Sequence, residues 1–460
     1  MSRPNVVLIV VDDMGYGDFS AFNEGLSDTP TLDGLIDESV CLTQHYTASP
    51  ICTPSRAGLM TGRYPHRTGA IDTRESRGLD RLALREVTMA DMFSANDYTT
   101  GLVGKWHLGE GDMRYHPNSR GFDEFVGFRG GWWWYWDWTL DYNGTFRDSD
   151  GRYLTDVFTE EAVDFISRHS EEPFFLNVTY NAPHTPLEAP DEEVESFLEA
   201  GQVNRGTSIL YGMIKRMDTG VAKILQALED QGVADNTIVM FTSDNGPQFS
   251  GEGDMSIERF NCGFNGSKSH VYEGGIRLPM IIRWPGGLDG GRRVDDMIHF
   301  CDWYPSLAAA CELDIPEGPA LDGTNIWPVV RGESGKVPTK RFWQWNRYSP
   351  VGEFNAAIRD GDWKLVRPRT PEVMWTSKQE QEYDLQNKQD PANFQMHIPP
   401  EPEREIPEPL PPQLFNIEED PLEQENLAQK HPDRTRRMLR ELENWFEEVE
   451  AERATIDDEW

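Results

Sequence analysis

Val6 to Val11 is a run of six aliphatic residues with no polar interruption. Such a run describes a strand buried on both faces, as in a parallel sheet with helices on either side. It ends in Asp12-Asp13, and Gly15 and Gly17 follow in a turn. In open α/β sheets ligands bind beyond the carboxyl ends of the strands. Two adjacent carboxylates at such an end repel each other unless a cation or a proton lies between them. A helix cap or turn is the alternative use of the same residues. The run is too short for a signal-peptide core or a membrane span. As given, the chain reads as cytoplasmic; one trimmed of an export leader, and so periplasmic or secreted, would read the same.

The same α/β pattern continues downstream. Helices are expected over Thr31 to Val40, Val87 to Ala95, Thr155 to His169, Ser208 to Gln231 and Cys301 to Leu313. The Ser208 to Gln231 segment has a helical apolar period through Leu210, Met213, Ile214, Met217, Val221, Ile224, Leu225 and Leu228. Strands are expected at Tyr98 to Val103, Pro173 to Tyr180, Thr237 to Thr242 and Pro279 to Trp284. Three of them run into polar groups: Lys105 and His107, then His184, then Asp244-Asn245. Lys105 and His107 share a side if the chain stays extended there.

Between them, Trp132 to Trp138 holds five tryptophans in seven residues. Side chains alternate along a strand, so these indoles cannot all face one core. They either line a cleft, where they can stack on sugar or aryl rings, or pack on a neighbouring domain.

At 460 residues the chain is expected to form one large and one smaller domain. Its character changes near Thr339, which sets the units at 1–338 and 339–460. The second has short strands at Phe342 to Trp345, Ala356 to Arg359, Trp363 to Val366 and Leu414 to Asn416, and a terminal helix over His431 to Ala451. A Pro- and Glu-rich insertion at 367–413 reads as an extended excursion.

With 79 acidic against 43 basic residues, the net charge of −36 argues against nucleic acid or an anionic membrane as partner. An anionic substrate therefore needs a local basic pocket. Five cysteines with no CxxC pair exclude a dense disulfide framework and a zinc–cysteine site. Cys52 stands at the start of a short helix, where Pro54 suits the first turn and Gly62 the end. A helix N-terminus favours an anionic group; a small buried apolar residue is the alternative reading of Cys52.

The polar strand ends form a hard, all-oxygen donor set of Asp12, Asp13, Asp244 and Asn245, suited to Ca2+ or Mg2+. Arg56, Lys105 and Lys268 add three cations. A divalent metal with this many cations suits a tetrahedral anionic ester.

Cys52-Thr53-Pro54-Ser55-Arg56 with Leu59-Met60-Thr61-Gly62-Arg63 resembles the signature of the type I, formylglycine-dependent sulfatases, arylsulfatase-like members of the alkaline phosphatase superfamily. Gly104-Lys105-Trp106-His107-Leu108-Gly109 resembles that family's second signature. Ser243-Asp244-Asn245-Gly246 resembles its metal strand, and Lys268 with Glu273-Gly274-Gly275 its substrate-lysine loop. Leu414-Phe415-Asn416, Asp420-Pro421 and Glu425-Asn426-Leu427 follow its C-terminal pattern. The insertion at 367–413 departs from it.

The resemblance implies an alkaline-phosphatase-like fold: a large mixed, mainly parallel sheet flanked by helices, with a smaller C-terminal α+β domain of antiparallel sheet and terminal helix. It implies a sulfuric ester hydrolase in which Cys52 is oxidised to formylglycine by a maturation enzyme. The hydrated aldehyde then attacks sulfur, and its second hydroxyl lets the enzyme expel sulfate. Asp12, Asp13, Asp244, Asn245 and modified Cys52 would bind Ca2+, with Mg2+ the alternative. Arg56 would steady the metal site, Lys105 and Lys268 would hold the sulfate, His184 would serve the leaving oxygen, and His107 would act in sulfate release. The substrate is expected to be a sulfated saccharide or small molecule, with aryl sulfates as surrogates. The alternatives are a phosphodiesterase or phosphonate monoester hydrolase using the same site, and an inactive anion- and metal-binding homologue.

Overall fold

The computed structural model describes residues 3–249, 255–397 and 400–457. Strand β1 (Asn5–Val11) is buried at every position and lies inside an eleven-stranded sheet. Its residues alternate between two cores. Val7, Ile9 and Val11 face one with the helices Pro30–Glu38, Leu154–His169 and Arg205–Asp230. Val6, Leu8 and Val10 face the other with Cys52–Thr61, Met89–Ala95 and Trp303–Ala310. Burial on both faces explains why the run carries no polar alternation.

The other strands of this sheet are β2 (Val40–Tyr46), β3 (Thr99–Lys105), β4 (Glu124–Phe128), β5 (Thr139–Tyr142), β6 (Thr145–Asp148), β7 (Phe174–Thr179), β8 (Thr237–Ser243), β9 (Arg277–Arg283), β10 (Arg292–Val294) and β11 (Ile298–His299). Their order is β10-β2-β9-β8-β1-β7-β3-β4-β5-β6, and β11 pairs with β2. The central strands β8, β1, β7, β3 and β4 are parallel. Their carboxyl ends therefore open on one edge. Strand β9 runs antiparallel to both β8 and β2, and the β4-β5-β6 end is a meander, so the sheet is mixed.

A second, antiparallel sheet is formed by β12 (Lys340–Gln344), β13 (Ala356–Asp360), β14 (Trp363–Arg367) and β15 (Gln413–Asn416). One face packs on the terminal helix Pro432–Arg453 through Ile358, Leu365, Leu414, Met438 and Leu442. The other meets Tyr46, Val271 and Ile276 through Trp343, Ala357, Val366 and Phe415.

Three local expectations change. The helix expected through Val40 ends at Glu38, and Val40 opens β2. The β5–β6 hairpin follows the tryptophan run, where no strand was expected. The insertion at 367–413 is not wholly extended: it holds the helices Pro371–Met374 and Lys378–Gln389. The second is capped by Ser377, whose hydroxyl accepts from the Glu380 N–H at 3.2 Å. Among the described residues, no helix is long and apolar enough to cross a membrane.

Candidate active site

The strand-end residues converge. Asp12 and Asp13 follow β1, Lys105 closes β3, His184 follows β7, and Asp244-Asn245 follow β8. Asp13 takes a left-handed backbone (φ 66°). Successive side chains of a strand point to opposite faces; this turn brings both carboxylates into one cluster, and aspartate tolerates the conformation better than most residues. Cys52 opens its helix, and Gly62 ends it in the left-handed region (φ 69°).

The cluster balances three carboxylates against three cations. Lys105 Nζ lies 2.5 Å from Asp12 Oδ2. Lys268 Nζ donates to Asp13 Oδ2 at 2.7 Å. Arg56 donates through Nε to Asp244 Oδ2 at 3.0 Å, and its Nη2 lies 3.9 Å from Asp12. The Asp13 N–H donates to Asp244 Oδ1 at 3.2 Å, and Asn245 Nδ2 to Asp13 Oδ1 at 2.7 Å. Cys52 Sγ is 3.4 Å from Asp12 Oδ1. His184 Nε2 is 3.7 Å from Asp13 Oδ2, while its Nδ1 is held by the Thr185 carbonyl at 2.6 Å. Lys268 and His184 keep 10% and 13% side-chain exposure and so mark the mouth of an otherwise buried site.

Low polarity shapes the charges. Burial, and then Asp12, push the Cys52 thiol up to about 12. The field of the helix N-terminus does not prevail there, because the thiolate would sit unsolvated beside a carboxylate. Burial and Asp12 push Asp244 up to about 6, against Arg56 and Lys105. Burial would raise Asp13 as well, but the charge and hydrogen bond of Lys268, with the Asn245 amide, outweigh it and hold that carboxyl well below its ordinary range. Burial and Lys268 lower His184 to about 3, and burial with Lys105 and Arg56 lowers His107 further still. Both imidazoles are neutral in this state.

The donors fit a hard divalent cation. Ligand atoms of Asp12, Asp13, Cys52 and His184 lie within 4.8 Å of one another. Asp244 is bonded directly to the Asp13 backbone, and Asn245 Oδ1 is buried without a hydrogen-bond partner in the structure. A buried carbonyl oxygen without a donor is what an oxygen-seeking cation requires.

The profile described as Sulfatase matches residues 4–313. The chain belongs to the sulfatase family. A second profile, described as the C-terminal part of N-sulphoglucosamine sulphohydrolase, matches 264–420. The sulfatase is 31% identical to the uncharacterized sulfatase YdeN of Escherichia coli (strain K12) over 79% of this chain and 73% of that one. It is 33% identical to human N-acetylgalactosamine-6-sulfatase over 71% of this chain and 66% of that one. A solved structure of Ps i-CgsB in complex with k-i-k-neocarrahexaose superposes with a TM-score of 0.80 at 31% identity, covering 96% of this chain and 93% of that one. The sulfatase is thus a sulfuric ester hydrolase of alkaline-phosphatase-like fold.

All the expected site residues of the sulfatase meet around Asp12 and Asp13 except His107, which stands one step back. Strand β3 ends at Lys105 and His107 is left-handed (φ 55°), so the chain does not stay extended there and the condition for the two to share a side is not met. His107 Nε2 instead faces Glu75 Oε1 at 3.4 Å. Sequence reasoning also missed Tyr135, whose single hydroxyl proton lies between the carbonyls of Asn181 and His184, at 2.9 and 2.8 Å from the oxygen, and so sets the His184 loop. It missed Arg259, which pairs with buried Asp18 and donates to the Asp13 carbonyl. The tryptophan run is divided: Trp133 and Trp138 are buried, Trp132 and Trp134 half-buried, and Trp136 exposed.

Proposed function

We propose that this sulfatase removes sulfate from a sulfated carbohydrate, with Cys52 matured to formylglycine and calcium held by Asp12, Asp13, Asp244, Asn245 and the side chain at position 52. One observation carries the reading: Cys52 sits at the focus of three carboxylates and three cations, yet its thiol is pushed up to about 12. Without a cation a thiol so hard to ionise is a poor nucleophile, and the motif that opens at Cys52, within the matched sulfatase profile, suits formylglycine at that position. Formylglycine hydrate would supply a hydroxyl nucleophile, and a cation held by these residues would make that hydroxyl easier to deprotonate and neutralise charge on the ester.

The chain's own residues then have defined tasks. Lys105 and Lys268 bind sulfate oxygens and stabilise the charge that builds on them. Arg56 holds Asp244 and orients the metal-side carboxylates. His184 Nδ1 donates to the Thr185 carbonyl, which leaves Nε2 free; an anionic ester beside it favours protonation there, and Nε2–H then donates to the leaving oxygen. His107 accepts a proton during sulfate release. In this reading residues 1–338 form the catalytic unit and 339–460 the C-terminal subdomain.

The carbohydrate assignment is supported by the profile match to a sulphoglucosamine enzyme, by the N-acetylgalactosamine-6-sulfatase relative, and by the neocarrahexaose complex of a solved relative. The half-buried Trp132 and Trp134 and the exposed Trp136 suit stacking on sugar rings. Production with a formylglycine-generating enzyme, followed by mass spectrometry of the peptide carrying position 52, is expected to show the aldehyde. The matured protein is expected to release sulfate from a panel of sulfated oligosaccharides. Free thiol throughout a fully active sample would sink the nucleophile; turnover of aryl sulfates alone would sink the carbohydrate.

A further inference from the structure

The insertion at 367–413 has no part in the chemistry above, yet its helix Lys378–Gln389 packs against the segment that backs His107. Arg74 pairs with Asp384 at 2.6 Å, Ser76 Oγ donates to Asp384 at 2.8 Å, and Arg77 pairs with Glu380. The His397 N–H donates to the Ser76 carbonyl at 2.7 Å. At the end of this helix Lys388 is 2% exposed. Its ammonium lies 3.4 Å from Glu75 Oε2 and 5.1 Å from the centroid of the Trp132 ring.

Glu75 is buried too. Its Oε1 accepts the Gly131 N–H and faces His107 Nε2 at 3.4 Å. A Cβ at position 131 would stand 2.8 Å from that oxygen and 2.9 Å from that nitrogen, so a side chain there would push the carboxylate or the imidazole aside. Burial, with Glu75 beside them, pushes the adjacent Asp80 up to about 8 and Glu110 well above the ordinary carboxylate range. Glu75 Oε2 accepts from Lys388, and Oε1 accepts the Gly131 N–H and stands opposite His107 Nε2. Both ring nitrogens of His107 are buried without a hydrogen-bond partner among the described residues; Nε2 faces Glu75 Oε1 without bonding it in this state, and Nδ1 faces no acceptor or donor.

We propose that Glu75 and Lys388 are positioning residues for His107, and that the insertion supplies the second of them. A neutral imidazole has one donor and one acceptor nitrogen. Facing a carboxylate, Nε2 carries the proton, which leaves Nδ1 to accept one. Lys388 fixes Glu75 in that orientation. The other tautomer would present N–H at Nδ1 and could accept nothing there. The long Nε2 to Glu75 distance is of the kind that tightens when substrate binds. This inference rests on the reading of the Cys52 site as the catalytic centre.

The test measures kcat and KM on nitrophenyl sulfate for the matured, calcium-loaded protein and for E75Q, K388M and K388R, each first shown to be folded by thermal melting. E75Q and K388M are expected to lose about 10–100-fold in kcat with KM little changed. K388R, which keeps the charge, is expected to recover most of the loss. Full kcat in folded E75Q, or a change confined to KM, would overturn the proposal. Should E75Q not fold, the lysine pair decides: recovery in K388R supports positioning, and equal loss in K388M and K388R overturns it. A wild type without turnover of any sulfate ester would instead refute the reading of the Cys52 site.

Discussion

At neutral pH a thiol with a pKa of about 12 carries almost no thiolate, and burial beside Asp12 is what holds Cys52 there. The same low polarity distinguishes the two imidazoles by what their ring nitrogens touch. His184 spends Nδ1 on the Thr185 carbonyl and keeps Nε2 near Asp13, at the mouth of the site. His107 lies deeper, against Glu75. A group at the mouth can reach the ester oxygen that leaves. The replacement H184A is therefore expected to act unequally on substrates. A sugar alcohol is a poor leaving group and needs its proton, so kcat on a sugar sulfate is expected to fall about 10²–10⁴-fold. Nitrophenolate leaves without help, so nitrophenyl sulfate is expected to lose far less. Parallel kinetics on the two esters check this; equal losses would assign His184 to binding and not to proton transfer.

At the scale of elements, the site is legible because its strands are buried on both faces. Val6 to Val11 and Thr237 to Thr242 announce themselves as apolar runs, and the polar residues that follow must stand at the ligand edge of the sheet. Strand β2 is less legible, since Gln44 and His45 interrupt it and the preceding helix reads on into Val40. The β5–β6 hairpin carries its own signal in Asn143-Gly144, at positive φ 51° and 88°, which the mass of tryptophans hides. Glu75 and Lys388 show no local signal, because only the tertiary fold brings them together.

Where an element must end is as strict as where it runs. Gly104 lies one residue before Lys105 in β3, with φ 118° and the Thr179 carbonyl oxygen only 2.0 Å from where a Cβ would stand. Gly104→Ala is expected to lower stability by at least ~1–3 kcal/mol, from strain and from spreading of β3 against β7. It is expected to lower kcat with it, since Lys105 moves with the strand. Urea unfolding and single-substrate kinetics check both; a normal midpoint would show that the β3–β7 contact yields.

At the scale of the whole molecule, the two sheets are joined by a buried charge cluster. Lys364 of β14 is fully buried, with its ammonium 2.9 Å from both Glu273 and Glu423. Glu273 also accepts from the Tyr46 hydroxyl at 2.7 Å, which ties β2 to the loop that carries Lys268. One lysine cannot neutralise two carboxylates. Lys364 with Arg277 and Arg359 overcomes the burial of Glu273 and holds it down at about 2. Burial, with Glu273 beside it, pushes Glu423 up to about 7 from an ordinary 4.5, against the pull of Lys364. The folded protein therefore keeps a proton on Glu423 where the unfolded chain has already released it. Its contribution to stability is complete below pH 4.5 and is lost as pH rises through about 7. Glu423→Gln cannot ionise and still accepts the Glu273 N–H, made at 2.7 Å in the wild type. Relative to wild type, the variant is expected to be more stable at pH 8 than at pH 5, by up to about 3 kcal/mol. Urea unfolding of both proteins at the two pH values measures this difference, and parallel profiles would show that Glu423 is ionised in the folded state throughout.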